Sequence, residues 1–110
     1  MANVFKNSVT SSIGTSATKV YEAPALTTTT VIGVSVANIL NENISVDVTV
    51  TDTSEAKTSH LVKNVLLTEG GAQVIVGGEQ KLVLETGDYI SVSSTIADST
   101  DVVVSVLEIS

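Results

Sequence analysis

A chain of 110 residues and 11.3 kDa holds about one domain's worth of core, because single cores usually organise about 100–200 residues. Its 43% apolar content and mean hydropathy of +0.40 argue against disorder, and the absence of cysteine removes disulfide scaffolds, thiolate nucleophiles and Cys-ligated zinc together. Twelve acids against five lysines and no arginine give a net charge of −7, so a nucleic-acid surface is excluded, an anionic bilayer would repel the chain, and no apolar run reaches the roughly 20 residues of a membrane helix.

The predicted elements are strands. Aromatics are only 3%, while 19 valines, 15 threonines and 14 serines dominate; β-branched and small hydroxylic side chains suit a pleated surface and lose rotamer freedom in helices. At the amino end, Val4-Phe5-Lys6 and Lys19-Val20-Tyr21 read as strands separated by the Ser/Thr/Gly-rich residues 8–18, and residues 1–18 form a candidate amino-terminal arm. The first seven residues lack the charged and apolar regions of a secretory signal, so export by that route is not expected. The lone proline, Pro24, marks a loop or strand boundary. Thr27-Thr28-Thr29-Thr30 leads into Val31 as the start of a strand over about 30–40, with Ile32, Val34 and Val36 on one face and Gly33, Ser35 and Ala37 on the other. The clearest alternation is Ile44-Ser45-Val46-Asp47-Val48-Thr49-Val50-Thr51, a half-buried strand. Asn41-Glu42-Asn43 between the two suggests a hairpin.

Residues 54–68 could be forced into a short amphipathic helix, but Thr58, His60 and Val62 fit an extended strand, which is the favoured reading. Gly70-Gly71 and Gly77-Gly78 bracket the short strand Gln73-Val74-Ile75-Val76 as turn glycines. Lys81-Leu82-Val83-Leu84 then leads through Glu85-Thr86-Gly87-Asp88 into Tyr89-Ile90-Ser91-Val92-Ser93, a second expected hairpin. In residues 101–109, Val102, Val104 and Val106 take one face and Val103, Leu107 and Ile109 the other. A strand apolar on both faces wants two covers. The expected fold is therefore all-β, a single β-sandwich over residues 1–110 of about eight short antiparallel strands, with jelly-roll as one arrangement, rather than a barrel around a ligand.

Candidate chemistry is thin. His60 follows Ser59, yet a hydrolase needs a nucleophile and an orienting carboxylate converging on the imidazole, and with 14 serines one such neighbour is unremarkable. Asp47, Asp52 and Glu55 could be imagined around a hard cation, but the calcium-loop pattern is missing and solvated acids at a strand end are the simpler reading. The glycine pairs lack the following helix that a phosphate cradle requires. Paired carboxylates for glycoside hydrolysis cannot be assigned, and Phe5, Tyr21 and Tyr89 offer little aromatic platform for sugars. No catalytic, metal or cofactor site is expected.

The segments Met1-Ala2-Asn3-Val4-Phe5-Lys6-Asn7, Lys19-Val20-Tyr21-Glu22-Ala23-Pro24, 27–38, 46–53, His60-Leu61-Val62-Lys63, 81–88 and Val102-Val103-Val104-Ser105-Val106-Leu107-Glu108-Ile109 together resemble small virion structural proteins of tailed bacteriophages, including marine and cyanobacterial ones. The resemblance spans nearly the whole chain and brings no catalytic residues with it. It implies a virion protein assembled in the host cytoplasm, either a head decoration or cement protein, commonly trimeric, or a tail, neck or fibre component. The implied partners are the major capsid protein or other virion proteins, and further copies of the chain. A host-surface glycan-binding module is the alternative from another class, disfavoured because recognition surfaces prefer Tyr, Trp and Arg. The residues expected at an interface are Val4, Phe5, Val103, Leu107 and Ile109.

Overall fold

The computed structural model describes residues 3–78 and 80–110. Among the described residues nine strands follow one another: β1 (Asn3–Ile13), β2 (Thr18–Glu22), β3 (Thr28–Asn38), β4 (Ile44–Asp52), β5 (Lys57–Leu67), β6 (Ala72–Val76), β7 (Leu82–Leu84), β8 (Tyr89–Ser94) and β9 (Thr100–Ile109). Among the described residues no helix is long and apolar enough to cross a membrane. Every strand pair is antiparallel.

One sheet runs β1-β9-β3-β6, with β7 continuing the β6 edge by pairing with the other end of β3; the second runs β2-β8-β4-β5. Counting β6 and β7 as one interrupted strand gives two four-stranded layers, and the chain alternates between them except at β4–β5. That path, with the last strand laid between the first and the third, is the jelly roll. The core lies between the layers and is almost wholly aliphatic: Val31, Val34, Val36, Ile44, Val46, Val48, Leu84, Ile90, Val92, Val102, Val104 and Val106 are buried. Aliphatic, β-branched side chains at every second position are what a thin sheet-on-sheet core takes up.

The alternation over 44–51 is realised as read: Ile44, Val46 and Val48 are buried and Val50 packs against them. Two expected hairpins are not. β3 pairs with β6, β7 and β9 and never with β4, whose neighbours are β5 and β8; likewise β7 and β8 lie in opposite layers. The residues that turn a hairpin also serve a crossover. At Asn41-Glu42-Asn43 the crossover is held by Asn38, whose buried amide donates to the carbonyls of Glu42, Leu67 and Thr68 while its oxygen accepts from Leu40 N. At 85–88 a tight turn closes with Asp88 N donating to Glu85 O, and Gly87 sits at φ +87°, as the third residue of a type II turn requires.

A second departure concerns phase. The register of β3 against β9 shifts between Val31 and Gly33, a bulge that moves Ile32 off the core face and turns Thr29 and Val31 inward. An extra residue in one strand reverses the alternation on either side of it. At the amino end, residues 3–10, expected to belong to an arm, pair in unbroken register with β9. A register shift follows between Thr10 and Ile13, where Ser12 adopts φ +57° with its N–H donating to Asp101 Oδ1. That kink carries Ile13 into the core.

Candidate interaction surface

Directly opposed residues in an antiparallel sheet point to the same side, so the register lists the outer face of the β1-β9-β3-β6 sheet row by row. The rows are Asn3–Ile109–Thr28, then Phe5–Leu107–Thr30–Val83, Asn7–Ser105–Gly33, Val9–Val103–Ser35–Val74 and Asp101–Ala37–Ala72. Only Asp101, in the last row, is charged. Phe5 is 74% exposed, Val9 68%, Val74 64% and Val83 61%. In a chain with 12 acids and five lysines, a group of apolar side chains in water whose described neighbours include charge only at Asp101 and, along one border, Lys6 is the kind of surface that usually marks an interface.

The face is not flat. One hollow, of about 220 Å³, is lined by Gly33, Ser35, Val74, Gly77, Val103 and Ser105; a second, of about 280 Å³, lies among Phe5, Lys6, Asn7, Ile32 and Ser105. Both fall below the roughly 300–1,000 Å³ typical of small-molecule sites. Their relief comes from small residues on the central strands flanked by larger ones on the outer strands.

Of the residues expected at an interface, Phe5, Val103, Leu107 and Ile109 stand on this face. Val4 does not: it opposes Glu108, whose side chain points inward. Sequence reading missed Val9, Ile32, Val74 and Val83. Val9 was hidden in a Ser/Thr-rich stretch, and Ile32 by the bulge.

Inside the adjoining end of the sandwich lies a polar cluster. The Tyr21 hydroxyl donates to Glu108 Oε2 at 2.6 Å, the Thr29 hydroxyl completes the Tyr21 oxygen at 2.8 Å, and Lys6 Nζ is 3.1 Å from Glu108 Oε1. Burial, reinforced by the bond to the Glu108 carboxylate, pushes the Tyr21 phenol up to about 12. Glu108 moves the other way: the Tyr21 hydrogen bond, and secondarily Lys6, hold its carboxyl below the usual range. Each of these side chains has a partner, so the cluster reads as a half-buried brace between the layers.

The remaining candidates do not converge. His60 is exposed on β5 opposite Thr49. Asp47 accepts from Asn64 N, and Asp52 accepts from Ser54 Oγ and Glu55 N, bonds that lower its carboxyl below the ordinary value. The acids brought together are instead Asp52, Glu85 and Asp88, with carboxylate oxygens within 4.8 Å. Asp88 is already engaged by Thr53 N and Glu85 N, which makes it a turn clamp. Comparisons with protein-family models, with curated proteins and with solved structures give no match to this chain.

Proposed function

We propose that the chain is a non-enzymatic structural component of a tailed-phage virion, a head decoration or cement protein that works by burying surface against other protein subunits. The observation that carries this reading is the outer face of the β1-β9-β3-β6 sheet, which presents Phe5, Val9, Val74, Val83 and Val103 to water, with Asp101 at one end and Lys6 at one border as the charges among the described residues. A cysteine-free aliphatic sandwich suits a part that needs no redox chemistry and must persist outside a cell, and the resemblance of the ordered sequence segments points to the same class. Fold alone does not assign function; the surface is what supports it.

Quantitative mass spectrometry of purified virions tests the reading. Copies in proportion to the major capsid protein are expected. A handful per particle would move the chain to the tail, neck or fibre, and its absence from particles would overturn the structural role.

A further inference from the structure

An open sheet edge presents unpaired N–H and C=O groups, so it can take on a strand from another chain. Among the described residues this sandwich has four such edges: β1 and the β6/β7 border of one sheet, β2 and β5 of the other. All five lysines lie at them. Lys6 is on β1, Lys19 on β2, Lys57 and Lys63 on β5, and Lys81 immediately precedes β7. The acids within strands divide the other way. Asp47, Asp52, Asp101 and Glu108 stand on the interior strands β4 and β9, and Glu22 alone stands on an edge strand. Exposure does not explain the division, because it would draw both signs to the rims, and acids outnumber lysines by 12 to five.

Backbone geometry follows the same division. Val46 to Val48 on β4 faces Val65 to Val62 on β5, and Val48 to Thr49 faces Val62 to His60, so β5 carries an extra residue at each step. β2 and β6 each carry one against their neighbours, whereas the interior strands β4 and β8 pair in unbroken register. Bulges twist an edge away from incoming strands. β1 lacks that protection over Asn3–Thr10, where it is regular against β9 and exposes Val4, Phe5 and Val9. Lys6 is the one charge in this stretch. It opposes Val106, a core residue, so its side chain leaves the sheet on the core side. There Nζ lies 3.1 Å from Glu108 Oε1, with 55% of the side chain still in water. A strand added beside β1 would cover that wet part and strip water from the ammonium, which is costly without further partners. We infer that the edge lysines close this sandwich to strand addition, and that along Asn3–Thr10 the closure rests on Lys6. The inference concerns the edges and is independent of what the outer face docks against.

Sedimentation velocity of the purified chain across a concentration series, read beside thioflavin T fluorescence, tests this. Lys6→Val should keep the far-ultraviolet circular dichroism of the parent and shift to species larger than the parent's, with a gain in dye fluorescence. Glu108→Gln weakens the same ion pair but leaves the lysine on the edge, so it should sediment as the parent does. Combining Val4→Lys with Lys6→Val returns the charge two residues away on the same side of the strand, and should restore the parent's behaviour. Every reading is taken relative to the parent, so association through the outer face does not confuse it. A Lys6→Val chain that folds and sediments as the parent does overturns the inference. So does a Glu108→Gln chain, or the double variant, that associates as Lys6→Val does. Should Lys6→Val fail to fold, Lys6→Thr decides by the same readings.

Discussion

The two outer faces of this sandwich are built from the same strand geometry and differ in chemistry. On the β2-β8-β4-β5 layer the outward rows are His60–Thr49–Ser91–Lys19 and Thr58–Thr51–Tyr89–Glu22, with Asp47 opposite Ser93 nearby. Hydroxyls and charges fill them: Lys19 binds Glu22 at 2.8 Å and lies 4.3 Å from the centre of the Tyr89 ring, and Thr51 and Thr58 share a hydrogen bond across the strands. The β1-β9-β3-β6 layer puts valines, Phe5 and Leu107 in the same positions. A sheet needs only one apolar face to form a core, so the exposed apolar side chains on this outer face are surplus to folding and call for a different account.

The largest effects should come from beneath both faces, where the contrast disappears. Ile90 under the polar layer and Leu84 under the apolar one are fully buried, and each change to Ala should cost about 2–5 kcal/mol, read by urea denaturation. A much smaller loss at Leu84 would mean that the two layers do not share one core. The next effect separates the faces. Leu107→Asp should leave a folded chain whose incorporation into particles falls at least tenfold, about 1.4 kcal/mol, whereas Thr49→Asp should change neither folding nor incorporation. Unfolding of the Leu107→Asp chain would return that residue to the core.

A smaller effect tests the brace that joins the layers. Tyr21→Phe removes the donor to Glu108 and should destabilise by about 1 kcal/mol, while also altering the pH profile of stability. Glu108 has a depressed folded-state pKa, so its contribution is present above the usual carboxylate range and is lost as pH falls through the lowered value. The Tyr21 phenol is raised from 10.0 to about 12, so its contribution is full below pH 10 and disappears as pH rises toward 12. Thermal melts at both extremes should show the alkaline loss vanish in Tyr21→Phe and the acid loss shrink. The smallest change is expected at Lys19→Ala, a solvated pair on the polar face, where the melting curve should overlay that of the parent.

Strand identity was legible because burial on one side writes a two-residue period, and 44–51 carried it without interruption. Partner choice was not, since Asn41-Glu42-Asn43 and Glu85-Thr86-Gly87-Asp88 turn the chain equally well within a sheet or between sheets. What holds the crossover between β3 and β4 is Asn38, which meets the nearby Glu42 carbonyl and also those of Leu67 and Thr68 in a distant segment, and no local window contains the latter two. The β3 phase was lost at a bulge whose only trace is Gly33. Four of the five residues expected at an interface share one face because β9 was correctly read as apolar on both sides. The fifth, Val4, was grouped with Phe5 by adjacency, although neighbours along a strand face opposite ways. Glu108 looked like an interruption of that apolar strand; its inward placement depends on Tyr21 and Lys6, which are far away in sequence.

The first strand is held to its sheet by the last, with Asn3 opposite Ile109 and Val9 opposite Val103. During synthesis β1 therefore emerges with no sheet partner and stays unpaired until β9 has left the ribosome. Chain closure of this kind is slow, since long loops must be ordered before their contacts repay them, and the interval leaves Phe5 and Val9 on an open strand edge. Lys6 sits between them, a charge of the sort that discourages edge-to-edge pairing. The same residue meets Glu108 in the folded chain, so one lysine combines a charge that discourages edge pairing with an ion pair that joins the first strand to the last.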